Sequence, residues 1–350
     1  MNRRPDVLLW GAGMVAGVHG AACAALGWRV RGVVSRDPRR AADLATRVGG
    51  RPVAAAQALS SQIADVAIVA TPPSQHADDA IALLEAGYHV VVEAPLACTL
   101  ADADRLLAAE QRIGRPVLYS EHLVSAPVID TMLGRVGGLG AITHLSARAV
   151  QSPPSWRTGT TEDWGGGALF DLGVHPIGLV IRTASEAGLG APTAISTVVN
   201  DGSTDRERAT IKLRFAAGLT ATILVGWQPG AGPDWDLQAS SARGVLRGEL
   251  YPEPTLESNG ERVDLGPAPR PGGPSLVDDY GYAPQLRRFW TNIRTDRAVP
   301  ATSGFGRQVL DVVCAAHASA GANAAEIALP FAGARDRTPH ALLGRPVSGA

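Results

Sequence analysis

From residue 6 to residue 120 the chain alternates strictly between short apolar runs and longer stretches of helical period. The apolar runs are "DVLLW" (6–10), "WRVRGVVS" (28–35), "DVAIVAT" (65–71), "HVVVE" (89–93) and "PVLYS" (116–120). Strands covered on both faces read this way. Between them, "MVAGVHGAACAALG" (14–27), a segment opened by Asp37-Pro38, "SQHADDAIALLEAG" (74–87) and "TLADADRLLAAEQRIG" (99–114) read as helices. Gly27 is placed as a C-terminal stop, Asp37 as an N-cap and Pro38 as the first helical residue. Successive strands with a helix in every link predict a doubly wound parallel sheet.

The pattern changes after Ser120. A helix is expected around 127–138, a strand at 142–151, then a glycine-rich patch and a helix over 165–185. Alternating strands follow at 194–200, 209–218, 220–228 and 235–250, with a hairpin turn at Gly218-Leu219. Residues 252–280 read as loop, 282–294 and 305–324 as amphipathic helices, and the last 18 or so as a loosely held tail. The expected fold class is α/β, with a Rossmann-type parallel sheet at the N-terminus. An α+β domain with a largely antiparallel open sheet follows. The domains are expected at 1–121 and 122–350, and 350 residues suffice for two cores.

Composition excludes several partners. Lys and Arg number 32 against 33 Asp and Glu, a net charge of −1, so no general attraction to nucleic acid or an anionic membrane is expected. No apolar run reaches the roughly 18 residues that span a bilayer. The opening "MNRRPDVLLWGAG" reads as a first strand, not a signal peptide. Cys23, Cys98 and Cys314 are far apart and odd in number, with neither a disulfide framework nor zinc spacing. A reducing cytoplasm and no metal site are therefore expected.

Gly11-Ala12-Gly13-Met14-Val15-Ala16 is G-x-G-x-x-A between the first strand and first helix. Gly11 permits the tight turn, Gly13 lets a pyrophosphate approach, and Ala16 lets helix and strand pack closely. The N–H groups at Met14, Val15 and Ala16 then face phosphate. An NAD site wants an acid at the end of strand two, whereas this chain has Ser35-Arg36. A hydroxyl and a guanidinium suit a 2′-phosphate, so NADP is preferred over NAD. Asp37 is the competing candidate. Thr71, Pro72 and Pro73 close strand three, where they would flank the nicotinamide-side ribose, and His76 would touch the cofactor. His144 and His317 read as ordinary strand and helix histidines.

"GAGMVAGVH", "ATPPSQH", "EAPLACTLADADRL" and "GGGALFDLGVHP", in this order, resemble the glucose–fructose oxidoreductase/inositol dehydrogenase (Gfo/Idh/MocA) family over nearly the whole chain. The resemblance implies hydride transfer between NAD(P) and a sugar or sugar-like alcohol or ketone. It also implies a homodimer or homotetramer built on the antiparallel sheet. The family signature Glu-Lys-Pro is here Glu93-Ala94-Pro95, so a methyl group stands where the resemblance implies a lysine. Three readings stay open: an engineered replacement, a natural variant in which other residues move the proton, and a cofactor-binding protein without redox catalysis.

Asp171 and His175, four apart after a glycine run, would share one helix face. The resemblance implies that both contact substrate. An imidazole near neutrality suits proton transfer, with Asp171 orienting it. Tyr119, Glu121 and His122 after strand five are softer substrate candidates, able to compensate for Ala94. Trp156 would stack on a sugar and Arg157 would meet an anionic group. A glycosidase working by transient oxidation with tightly held NAD, and a non-catalytic NADP-binding protein, are the alternatives.

Overall fold

A computed structural model describes residues 3–154, 166–200, 207–266, 275–299 and 301–344. The first unit opens with β1 (Asp6–Trp10), α1 (Met14–Leu26), β2 (Arg29–Val34), α2 (Pro38–Val48) and α3 (Ala55–Ser61). It continues with β3 (Val66–Val69), α4 (His76–Glu85), β4 (His89–Glu93), α5 (Leu100–Ile113) and β5 (Leu118–Ser120). The five strands are parallel in the order β2-β1-β3-β4-β5. The chain leaves β1 for one side of the sheet and returns to its other side at β3. In such sheets the crevice outside the carboxyl ends at that reversal is the ligand-binding place.

The continuous apolar runs have their expected cause. Val7, Leu8, Leu9, Val66 to Val69 and Val90 to Val92 are fully buried. Each buried Val, Leu or Ile side chain among them contributes about 1.5–3 kcal/mol. Gly27 ends α1 in the left-handed region, at φ 65°. The Asp37 carboxylate accepts from the N–H groups of Arg39 and Arg40 at 2.9 and 3.3 Å, capping α2. The short helix α3 was not foreseen, for its "AAQALSS" carries no apolar stripe of helical period.

The second unit holds α6 (Pro127–Val136), β6 (Ile142–Gln151), α7 (Ala168–Asp171), α8 (Val174–Glu186), β7 (Pro192–Asn200), β8 (Arg208–Phe215) and β9 (Thr220–Trp227). Then come β10 (Asp234–Ser241), β11 (Gly244–Tyr251), β12 (Thr255–Ser258) and β13 (Glu261–Arg262). Its sheet has nine strands in the order β13-β12-β11-β10-β6-β9-β8-β7-β14, where β14 is Ile327–Ala328. The β6·β9 pair is parallel and all others are antiparallel. Of the remaining helices, α9 (Tyr282–Arg294) packs in the first unit, and α11 (Pro339–Leu342) belongs to the second. α10 (Ser303–Gly321) begins in the first and runs into the second.

Two differences from the sequence expectations concern turns. The run 235–250 is not one strand but a hairpin, because β10 and β11 meet at Ser241↔Gly244 around Ala242-Arg243. That dipeptide lacks the Asn-Gly or Asp-Gly chemistry that signals such a turn. The segment expected as loop at 252–280 contains β12 and β13. A further difference lies in the partition of the chain: residues 275–307 pack with the first unit, which also runs to Ser125. α9 is amphipathic, and amphipathicity does not say which core a helix joins.

Candidate functional site

In the first unit the turn after β1 is held by its glycines. Gly11 sits at φ 124°, and a Cβ there would lie 2.3 Å from the Ala70 carbonyl oxygen, so only glycine lets β1 and β3 come so close. Around the place a Cβ on Gly13 would take there is open space for 4 Å. No side chain caps α1, whose first turn carries no acid. Its leading N–H groups and positive dipole end thus stand ready for an anion. Met14 is 59% exposed beside them, while Ala16 is buried against the sheet. A dinucleotide diphosphate fits this arrangement.

Beyond β2, Ser35 is half-buried and Arg36 exposed. The Ser35 hydroxyl oxygen accepts from Asp37 N–H at 3.2 Å. The Asp37 carboxylate is engaged with its own helix, as a capping role requires.

At the carboxyl ends of β3 and β4, Thr71, Pro72 and Ala94 are half-buried and Pro73 and Pro95 buried. Glu93 is 7% exposed. Its carboxylate accepts from Ser120 Oγ at 2.7 Å and lies 2.5 Å from His19 Nε2; the Ala94 N–H is 3.1 Å away. Gln285 on α9 donates to Ser120 Oγ at 2.8 Å. Burial raises the Glu93 pKa, but the hydrogen bonds and charges of His19, Ser120 and His122 outweigh it and hold the carboxyl below its ordinary value. Glu93 is thereby fixed from α1, β5 and its own turn. His19, Ser120 and Gln285 were not foreseen. His19 lay inside the recognised "GAGMVAGVH" stretch, but nothing local marks Gln285, 165 residues from Ser120.

His76 is 1% exposed, with Nδ1 2.8 Å from Pro95 O and Nε2 2.7 Å from Thr71 O. Both nitrogens are therefore occupied by backbone. Tyr119 and Glu121 are fully buried and His122 nearly so. The Tyr119 ring packs near Phe305, with centroids 6.2 Å apart, and burial pushes its phenol well above the ordinary value. His122 stacks on Tyr282 at 4.0 Å, and its Nδ1 lies 2.6 Å from Tyr280 O. These three take part in the packing of the first unit.

In the second unit Asp171 and His175 do not share one helix. Asp171 ends α7, and His175 is the second residue of α8. Only glycine fits at the break: a Cβ on Gly173 would stand 2.1 Å from Leu169 O. Four-residue spacing alone could not show it. Both side chains are half-buried, and the His175 ring lies 5.4 Å from Trp235 of β10. Glu207 accepts from Leu169 N–H at 2.8 Å at the start of α7, a contact no motif announced. Gly165, Trp156 and Arg157 lie outside the described residues. Among the described residues no group of His, Cys, Asp or Glu could hold a metal, and no helix is long and apolar enough to cross a membrane. Cys23, Cys98 and Cys314 are buried, and no disulfide joins any of them among the described residues.

Comparison with known proteins bears on the family and the fold. Residues 6–121 match the model of an oxidoreductase family with an NAD-binding Rossmann fold, and residues 133–247 match the GFO/IDH/MocA C-terminal domain. The chain is 31% identical over 209 residues to an uncharacterised oxidoreductase of Rhizobium meliloti, covering 58% of this chain and 61% of that protein. It is 28% identical over 260 residues to a dTDP-3,4-didehydro-2,6-dideoxy-alpha-D-glucose 3-reductase of Actinomadura kijaniata, covering 67% and 75%. Among solved structures, GenD2 from gentamicin A biosynthesis, in complex with NAD, superposes with a TM-score of 0.79 at 25% identity, covering 94% of this chain and 97% of that one. Levoglucosan dehydrogenase with NADH and levoglucosan shares the fold at a TM-score of 0.82 and 20% identity, covering 93% and 99%.

Proposed function

Because the chain belongs to the GFO/IDH/MocA oxidoreductase family, we propose that it is an NADP-preferring oxidoreductase acting on a sugar, at a ring carbon carrying a hydroxyl or ketone. The observation that supports this most is the uncapped amino end of α1 with open space at Gly13. The sugar class follows the relatives, among them 3-reductases of dTDP-hexoses and a D-glucoside 3-dehydrogenase. Position 3 of a hexose is accordingly the favoured carbon.

A bound nicotinamide supplies or takes up the hydride. Gly11, Gly13, Met14, Val15 and Ala16 hold the diphosphate through backbone. Ser35 and Arg36 take the 2′-phosphate, since a guanidinium matches phosphate oxygens two at a time. Thr71, Pro72, Pro73 and Pro95 line the nicotinamide half, with His76 and Glu93 behind them. His175 moves the substrate hydroxyl proton at a ring nitrogen, and Asp171 orients that ring or the sugar. Ala94 offers no ammonium, so nothing at that position stabilises developing negative charge on the substrate oxygen. His122, Trp156 and Arg157 stand as further substrate candidates, whereas Tyr119 and Glu121 are fully buried in the first unit and expose no surface to a substrate. The proposed setting is a reducing cytoplasm and a homodimer or homotetramer.

The test is direct. Purified protein is mixed with NADPH or NADH and a panel of 3-keto hexosides and nucleotide-linked 3-keto hexoses, and the reduced-nicotinamide absorbance is followed. Consumption with one of these supports the reading. Sugar release without absorbance change would point to the redox-assisted glycosidase, and no binding of either dinucleotide would sink both.

A further inference from the structure

At the rim of the parallel sheet two neighbouring strand ends are met by two side chains of the first turn of α4. The sheet order places β3 and β4 side by side. His76 stands between the loops that follow β3 and β4, its ring nitrogens 2.7 Å from Thr71 O and 2.8 Å from Pro95 O. In the same turn, Asp79 Oδ2 accepts from Thr71 Oγ1 at 2.7 Å. Thr71 is held by its hydroxyl, and its carbonyl shares the His76 ring with that of Pro95, the neutral imidazole donating to one of the two at a time.

We propose that His76 and Asp79 are positioning residues: they fix the Thr71 loop and the Ala94-Pro95 turn as the floor for the nicotinamide half of the cofactor, without touching it. This rests on the dinucleotide reading above. The physical case is one of ordering. Loops on the ends of strands are free to move unless side chains bind their backbone, and each loop residue fixed in advance spares the binding event conformational entropy. The ring suits the task because it is rigid and has a nitrogen on either side. A neutral imidazole donates to one carbonyl at a time and a protonated one to both. The adenine half depends on other groups, at the amino end of α1 and the end of β2, which the His76 ring does not touch.

That separation supplies the test. NADPH and NADH are titrated against wild-type protein and His76→Ala, alongside the fragments that lack nicotinamide, ADP-ribose 2′-phosphate and ADP-ribose. The expected result is an affinity for the whole dinucleotide lowered about tenfold, or about 1.4 kcal/mol, with the fragment unchanged within about twofold. Asp79→Ala, which leaves the ring in place, shows the same pattern more weakly and carries the comparison should His76→Ala fail to fold. A parallel loss for dinucleotide and fragment would mean a general structural role and overturn the proposal. No loss for either overturns it too. Wild-type protein that binds none of these ligands removes the dinucleotide reading and this one together, whereas wild-type binding with indifferent variants removes this one alone.

Discussion

Ala94 has a neighbour whose position is fixed and a side chain that offers nothing. Glu93 is held by His19 and Ser120, so the backbone that would present a longer side chain at 94 is already in place. Ala94→Lys should therefore raise turnover of the true substrate by about 10²-fold, the lower end of what a positioned acid/base group contributes. Steady-state kcat on both proteins decides it; unchanged kcat would mean that the proton is handled elsewhere. Arg36 is a second single-residue case. It is exposed at the end of β2 while Asp37 is spent on its helix. Arg36→Ala should weaken NADPH about tenfold and leave NADH where it was, since only the former carries the 2′-phosphate that a guanidinium matches. Fluorescence titration of both cofactors checks this, and equal losses would assign Arg36 no part in the choice.

Elements show where sequence patterns carry information and where they stop. The five parallel strands were legible because burial on both faces leaves uninterrupted apolar runs, and the cap of α2 because Asp-Pro has one good place in a helix. The break between Asp171 and His175 was not, since the approach of Gly173 to Leu169 O, which glycine alone permits, is made only after folding. Nor was the anchoring of Glu93, whose partners His19, Ser120 and Gln285 come from three distant segments. The cap offers a test at this scale. Asp37→Ala removes the acceptor of two N–H groups and should cost about 1 kcal/mol. Urea unfolding reads the cost, and NADH affinity should stay constant. A fall in NADH affinity with no loss of stability would return Asp37 to the role of ribose ligand.

For the molecule as a whole, buried histidines set the response to acid. His317 on α10 is 1% exposed, with Nδ1 bonded to Val313 O at 2.8 Å and Nε2 without a partner among the described residues. Burial, with a smaller contribution from His340, pushes its pKa down to about 4. His76 and His89 are lowered too, chiefly by burial. The unfolded chain therefore takes up protons near pH 6.5 that the folded chain still refuses, and stability falls as pH drops from there towards 4. For His317 alone the loss amounts to about 3 kcal/mol over that window. Glu93, held low, adds a further loss only below its ordinary pKa of 4.5. Asp79 and Glu110, raised by burial, act in the opposite sense, because they gain protons in the folded state first. The histidine window comes first on acidification, so the urea midpoint should fall between pH 7 and pH 5. His317→Gln, which cannot take a proton, should flatten that fall. An equal drop in wild type and variant would mean that the α10 imidazole is not what makes the fold sensitive to acid.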